Sequence, residues 1–572
     1  MSRKRLTIAL VVCMLLSSIL LAACAKEEPS GSQETTQTGE PNESASNGGD
    51  SEASKGEASE AKDPLGKYEE PITVTQVLGF APPQDANTPK STTPETNGYV
   101  TKLKEMLNID LKYLWTVPTD QFAQKFSLSV ASGELPDVMA VSQSEFEKFR
   151  EDGLLADLTD AYRQYASPAL KAYVEKDGGT ALKMFTDADG KILGLPNYLD
   201  PYSSLQLLWI RTDWLEALNL EVPQTIEELE KVAEAFVNDD PDRNGKKDTY
   251  GITMNKALIT WGFDARGPFY SMGAYPKAWV KGSDGTLVAG ETQPETRKAL
   301  EKLQTWYKKG ILDKEFAFKD IDKVVEDVVA GKVGISFGEW WYPEWPLNLN
   351  KDGDPKAKWQ AYPLPSFEGK QGIPLIPKMN VTKILVANKD MKNPEALVKM
   401  ANFYEEISSP KYADENKPEN GYVYNWFEPR FYNPTAIADT YKRVNEALTS
   451  KDESGLDPGD KPIYDGAVQY LAGDASKWGH FMSRVAENGG WGLTERMKAQ
   501  PVVYNEFAGV PTPTQVEKGA SLEKLTDETF LKIIVGSAPI AEFDKYVESW
   551  GKLGGNDITN EVNDWYAEQS KK

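Results

Sequence analysis

Asp240, Asp242, Asn244, Lys246 and Asp248 stand at positions 1, 3, 5, 7 and 9 of the run D-P-D-R-N-G-K-K-D. Side-chain oxygens at positions 1, 3, 5 and 9, with the backbone carbonyl at 7, are the donors with which an EF-hand loop wraps Ca²⁺. Gly245 at position 6 permits the sharp turn such a loop needs. The bidentate Glu of position 12 is absent, and Gly251 stands there. The expectation is a structural Ca²⁺ site, because the run follows an amphipathic segment ending near Val237 and leads into a strand. The competing reading is a solvated polar turn.

A second group is aromatic. G-E-W-W-Y-P-E-W, residues 338–345, holds Trp340, Trp341, Tyr342 and Trp345 with Glu339 and Glu344 between them. The faces of pyranose rings are C–H rich and their edges are hydroxyls. Flat indoles cover such faces, and carboxylates and amides hold such edges. Trp340, Trp341, Trp345 and Glu339 are therefore candidate ligand contacts, with core packing as the bland alternative. Trp261, in W-G-F-D, and Trp491, in G-G-W-G, are further candidates. Fifteen tryptophans in 572 residues suit an oligosaccharide better than a monosaccharide or an ion.

Catalysis has little to stand on. Glu339 and Glu344 would serve a glycosidase only by flanking a scissile bond. His480 is the single histidine, which rules out a multi-histidine metal site. No P-loop and no G-x-G-x-x-G after a strand appears. A net charge of −23 argues against nucleic acid, which needs clustered Lys and Arg.

The chain opens M-S-R-K-R followed by an uncharged apolar stretch ending L-A-A-C, with Cys24 last. This is a targeting segment rather than part of the fold. Residues 1–23 read as a lipoprotein signal peptide and L-A-A-C as a lipobox, with lipid carried on Cys24. Cys13, the other cysteine, leaves with the signal, so the mature domain is expected to have no disulfide. Residues 24–66 are rich in Ser, Gly and Glu with almost no large apolar residue. They read as a disordered acidic tether.

These candidates need elements to position them. Residues 72–78 are β-branched and read as a first strand. Residues 97–107 and 122–131 have helical spacing, and 108–114 and 136–141 read as strands. Alternating strands and helices predict an α/β fold with parallel sheets. Thr225 and Glu228 form a capping box ahead of a helix with Ile226, Leu229, Val232, Ala233 and Phe236 on one face. Phe543, Tyr546, Val547 and Trp550 line another helix, which Gly554-Gly555 is expected to stop.

Several stretches together resemble a known family: S-G-E-L-P-D-V at 132–138, D-G-K-I-L-G-L-P-N-Y at 189–198, I-R-T-D-W-L-E-A-L-N-L-E-V-P-Q-T-I-E-E-L at 210–229, A-G-K-V-G-I-S-F at 330–337 and I-T-N-E-V-N-D-W-Y at 558–566. In this order behind a lipobox, the chain resembles the lipid-anchored extracellular solute-binding proteins of Gram-positive ABC importers, from the oligosaccharide-uptake branch. The resemblance implies a two-lobed, periplasmic-binding-protein-like type II fold with the ligand cleft between lobes and three crossings. The first lobe would hold 67–200 and 382–510, the second 201–381 and 511–572, with crossings near 199–205, 377–383 and 509–514. It implies a monomer anchored on the outer face of the cell membrane, handing an oligosaccharide to permease subunits without a reaction. It places Trp340 and Trp341 on the family's sugar-stacking segment. Trp261, Asn255, Tyr198 and Gln143, with Ser142 beside it, fall at cleft positions by the same resemblance. Arg266 and Lys277 would pair with carboxylates if the ligand carried uronic acids. A peptide or signal receptor on the same fold, and a secreted hydrolase, remain open alternatives.

Overall fold

The computed structural model describes residues 61–81, 88–175, 178–412, 414–431, 435–456 and 459–569, with the side chains of Asp120, Tyr198, Pro410 and Ala436 left out. The signal segment, Cys24 and nearly all of the tether lie outside the described residues. No described helix is long and apolar enough to cross a membrane.

Strand β1, Ile72–Phe80, pairs in parallel with β2, Ile109–Pro118, across the helix Gly98–Leu107. Asn97 caps that helix, its side-chain oxygen accepting from the Tyr99 N–H. Strands β3, Val138–Val141, and β4, Leu195–Leu199, flank a long strand at Asn380–Ala387, and both run antiparallel to it. Asp137, just before β3, accepts from the backbone and hydroxyl of Thr75 at 2.8 and 2.7 Å, tying β1 to this sheet. Around these strands Leu103, Leu107, Ile109, Leu385 and Phe403 form one core and Phe126, Val141, Phe146 and Ile384 another.

The second lobe is built on β5, Leu207–Arg211, β6, Tyr250–Ile252, β7, Val333–Gly338, and β8, Trp359–Tyr362, in the order β8-β5-β7-β6. The helix Ile226–Asn238 packs here. Thr225 Oγ1 accepts from the Glu228 N–H at 3.1 Å, and Glu228 returns a carboxylate to the Thr225 N–H at 3.2 Å. All five apolar residues of its predicted face are buried, each stabilising by roughly 1.5–3 kcal/mol when large.

Three expectations change. The sheets are mixed rather than parallel. Among the described strands, β1 with β2, β6 with β7, and a short pair at Leu375–Pro377 and Val503–Asn505 run parallel, and the other pairs run antiparallel. Second, Gly554-Gly555 kinks the helix Glu542–Trp550 without ending the helical path, which resumes at Asn556–Gln569. Gly554 adopts φ 130°, open to glycine alone, and a Cβ on Gly555 would lie 2.1 Å from the Trp550 ring.

Third, residues 435–500 do not belong with the first lobe. Val444, Tyr464, Val485 and Trp491 make a core that takes in Trp340, and Trp478, Leu493 and Met497 share a core with Leu207, Trp209 and Val333. Residues from 437 onward therefore pack with the second lobe, and the helix Pro513–Ile534 continues in that lobe. The segment expected to cross at 509–514 instead touches the first-lobe core through Val510. β4 pairs in the first-lobe sheet and β5 in the second, and Asn380–Ala387 joins the first-lobe sheet while Leu375–Pro377 pairs with Val503–Asn505.

Candidate functional site

β7 is wholly buried, and it ends at Gly338, which pairs with Leu207, the residue where β5 leaves the first crossing. The segment after β7 therefore emerges at the edge of the second-lobe sheet nearest the crossings. Gly338 is required there, because a Cβ would lie 1.9 Å from the Tyr342 ring. Tyr342 folds back beneath the strand end, 1% exposed. Its hydroxyl oxygen accepts from the Phe263 N–H at 2.7 Å, and the two rings lie 4.9 Å apart. This contact clamps the 255–264 loop to the 339–345 segment.

Three indoles result. Trp261 is 5.8 Å from Trp341 and 6.0 Å from Trp345, and Trp341 is 6.1 Å from Trp345. Their planes differ by 20° to 35°. Trp261 is 57% exposed, so the array faces solvent. Beneath it, Trp341 Nε1 donates to Glu339 Oε2 at 2.9 Å, and Arg266 Nη2 donates to Glu339 Oε1 at 3.3 Å. Arg266 Nε donates to the buried Asp264 at 2.5 Å. Burial pushes the Glu339 carboxyl above its ordinary value, against the pull of Arg266 and of the Trp341 N–H. Burial works against the charge on Arg266, but Asp264 outweighs it and holds the guanidinium protonated.

Two expected contacts turn out to be framework. Asn255 is 1% exposed and its amide is consumed: Nδ2 donates to the carbonyls of Gly262 and Phe263 at 2.6 and 3.1 Å, and Oδ1 accepts from Ala257 at 2.7 Å. It shapes the loop that carries Trp261. Trp491 is 4% exposed and packs on Trp340 at 5.4 Å, with the Arg484 guanidinium 5.2 and 5.1 Å from the two rings. A glycine-flanked ring is here one that backbone crowds: a Cβ on Gly490 would meet the Trp340 carbonyl oxygen at 2.2 Å. Half-buried Trp340 is drawn into that packing and makes no ring contact with the three-indole array. Glu344 is bound in the same place, accepting from Arg484 Nε and Nη2 at 2.6 and 2.8 Å with His480 Nδ1 at 3.3 Å. Burial would raise its carboxyl, but His480 and Arg484 hold it down at about 2. It is not paired with Glu339 across an open gap, as a glycosidase would need.

Gln143 and Lys277 lie apart from the indoles, both lining a cavity of about 560 Å³ beside the helix Pro513–Ile534, where Lys277 pairs with Asp527 at 2.8 Å. Ser142 caps the helix Gln143–Glu151. Tyr198 lies on β4, and its side chain is outside the described residues. A larger hollow of about 740 Å³ opens on the first lobe, lined among others by Gln76, Lys383, Tyr424, Glu428 and Arg430. Arg430 and Lys383 approach the one carboxylate of Glu428 at 2.7 and 3.7 Å. Sequence reasoning missed this surface. The signal was N-W-F-E-P-R at 425–430, which mixes rings and charges as 338–345 does.

The 240–248 loop has the expected place, between the helix Ile226–Asn238 and β6. Asp240, Arg243 and Gly245 take positive φ. Asp240 accepts from the N–H groups of Asn244 and Gly245 at 3.0 Å each, and the Asn244 amide donates to Asp242 and Asp248 at 2.8 and 3.1 Å. Burial, and then Asp240 and Asp248 nearby, push the Asp242 carboxyl up. Oxygens thus converge and repel, which is the donor chemistry a divalent cation relieves. Among the described residues no group of three or more acid, His or Cys side chains stands gathered as a finished metal cage.

The family model for bacterial extracellular solute-binding protein matches residues 90–406. Lipoprotein LipO of Bacillus subtilis (strain 168) is 24% identical over 477 residues, covering 82% of this chain and 88% of that one. The polygalacturonan/rhamnogalacturonan-binding protein YtcQ of the same organism is 24% identical over 491 residues, with the same coverage. The solved structure of the Streptococcus pneumoniae ABC-transporter substrate-binding protein FusA with kestose superposes with a TM-score of 0.61 at 18% identity, covering 88% of this chain and 100% of that one. An EF-hand mutant of FusA with fructo-nystose superposes at 0.60, with 18% identity and the same coverage. At these identities the solved structures establish the two-lobed type II fold. The match of the family model over more than half its length, with that fold, means that the chain belongs to the bacterial extracellular solute-binding proteins.

Proposed function

We propose that this protein captures an oligosaccharide in the cleft between its lobes and delivers it to the permease of an ABC importer. The observation that carries this reading is the solvent-facing array of Trp261, Trp341 and Trp345 at the cleft edge of β7, with Glu339 hydrogen-bonded beneath it. Flat indoles with a carboxylate at their margin match the faces and edges of sugar rings. The names of YtcQ and of FusA with kestose support the same ligand class. The lobes close on ligand by a hinge at the crossings, and the closed form is what the permease reads. The protein performs no reaction and acts as a monomer. It is held on the outer face of the cell membrane by lipid on Cys24, whose acyl chains bury CH₂ groups at about 0.8 kcal/mol each. Asp240, Asp242, Asn244, the Lys246 carbonyl and Asp248 would hold a structural Ca²⁺, and the EF-hand of FusA supports that assignment.

The test is thermal melting against neutral and acidic oligosaccharides, with Ca²⁺ and with EDTA. A ligand that binds only the native state stabilises by about 2.7 kcal/mol at a hundredfold over Kd. A rise with one sugar class and no hydrolysis products is expected. A rise with peptides alone would overturn the assignment.

A further inference from the structure

Resting on the reading just given, we infer that the indole array takes an uncharged sugar residue and rejects a uronate at that position. The reason is the charge beneath the rings. Among the described residues, Arg266 is the cation in hydrogen-bond contact with Glu339, and it is already spent. Its Nε faces Asp264 at 2.5 Å and its Nη2 faces Glu339 at 3.3 Å. Asp264 is 1% exposed at its side chain, and Arg266 and Glu339 are 15% and 16% exposed. One guanidinium is thus enclosed by two carboxyl groups.

With Asp264 ionised by its contact with Arg266, against the upward push of burial, the trio carries one net negative charge when Glu339 is ionised and none when Glu339 is protonated. In neither state does it offer a positive charge to a ligand carboxylate. The three groups are fixed by mutual contacts and by the Trp341 N–H, so Arg266 cannot turn toward a ligand without exposing two unpaired acids, one of them fully buried. An uncharged ring asks nothing of the trio. Its hydroxyls find an acceptor in Glu339, and its C–H face lies on Trp261. A uronate on the same rings brings a like charge next to Glu339 in a partly dry site, where repulsion is strong. On the first lobe Lys383, 49% exposed, lies 3.7 Å from the Glu428 carboxylate with which Arg430 also pairs.

The experiment is a titration of the full chain with neutral fructo-, gluco- and galacto-oligosaccharides and with oligomers made wholly of uronate. It is repeated on Trp261→Ala and Glu339→Gln. Trp261 is largely exposed, so its removal leaves folding intact, and melting curves check both variants. The expected result is that every oligosaccharide whose binding falls on Trp261→Ala contains an uncharged residue. Glu339→Gln should then raise affinity for uronate oligomers about tenfold relative to neutral ones, the size of one pKa unit of charge interaction. An all-uronate oligomer that binds wild type tightly, loses affinity on Trp261→Ala and ignores Glu339→Gln would overturn the inference while leaving oligosaccharide capture intact. Failure of every sugar to bind would remove the proposed function, and this inference with it.

Discussion

The Tyr342 hydroxyl oxygen accepts the backbone N–H of Phe263 at 2.7 Å, joining two loops 79 residues apart. Phe263 and Tyr342 are each 1% exposed, while Trp261 beside them is 57% exposed. The bond fixes the distance between Trp261 on one loop and Trp341 and Trp345 on the other. Tyr342→Phe would keep the ring and strand the buried N–H. The expected cost is about 1–3 kcal/mol in urea unfolding, with a matching loss of sugar affinity because the indoles are no longer held in register.

Trp261→Ala should separate binding from stability. The ring is more than half exposed, so unfolding should change by no more than about 0.5 kcal/mol. Affinity for the captured oligosaccharide should fall by about 1–3 kcal/mol, as for a central aromatic anchor. Trp491→Ala should do the reverse. Truncating this buried ring costs about 3–5 kcal/mol of stability and changes affinity only through folding. Fluorescence titration and denaturation of the two variants side by side would show the crossover.

Glu344 predicts a specific acid response. Its folded carboxyl sits at about 2, below the ordinary 4.5. A depressed acid contributes stability that is complete above about pH 4.5 and is lost as pH falls toward 2. Glu344→Gln should therefore be destabilised relative to wild type by about 3 kcal/mol at pH 7. The gap should shrink steadily below pH 4.5. A constant gap from pH 7 to pH 3 would mean that Arg484 and His480 do not stabilise the carboxylate.

The Asp242 carboxyl responds in the opposite sense. Burial and two neighbouring aspartates raise it, so without a cation its negative charge costs stability at neutral pH. Asp242→Asn should be neutral or slightly stabilising in EDTA. In Ca²⁺ it should abolish the upward shift in melting temperature shown by wild type. Equal melting of wild type in Ca²⁺ and in EDTA would refute a metal in this loop.

Local patterns were legible wherever neighbours in sequence settle the matter. The Thr225–Glu228 capping box, the buried face of Ile226, Leu229, Val232, Ala233 and Phe236, the strand read at 72–78 and the turn-rich acid loop at 240–248 all depend on interactions within a few residues. The cluster at 338–345 was visible as a cluster, but its partition was not. A sequence has no means of saying that Trp341 and Trp345 stack with Trp261 while Trp340 turns to Trp491, because alternate residues leaving a strand end point to different neighbours.

By itself the sequence determined the type of chemistry on offer, indoles and carboxylates gathered in short clusters. Tertiary structure decided which of those residues remain open to a ligand. Asn255 was consumed by its own loop, and Glu344 by Arg484 and His480. Residues 435–500 moved to the second lobe because their apolar faces complete the cores around Trp340 and Trp209. The physical reason is common to Glu344 and to residues 435–500. Burial and pairing depend on partners distant in the chain, and those partners meet only when the lobes have formed.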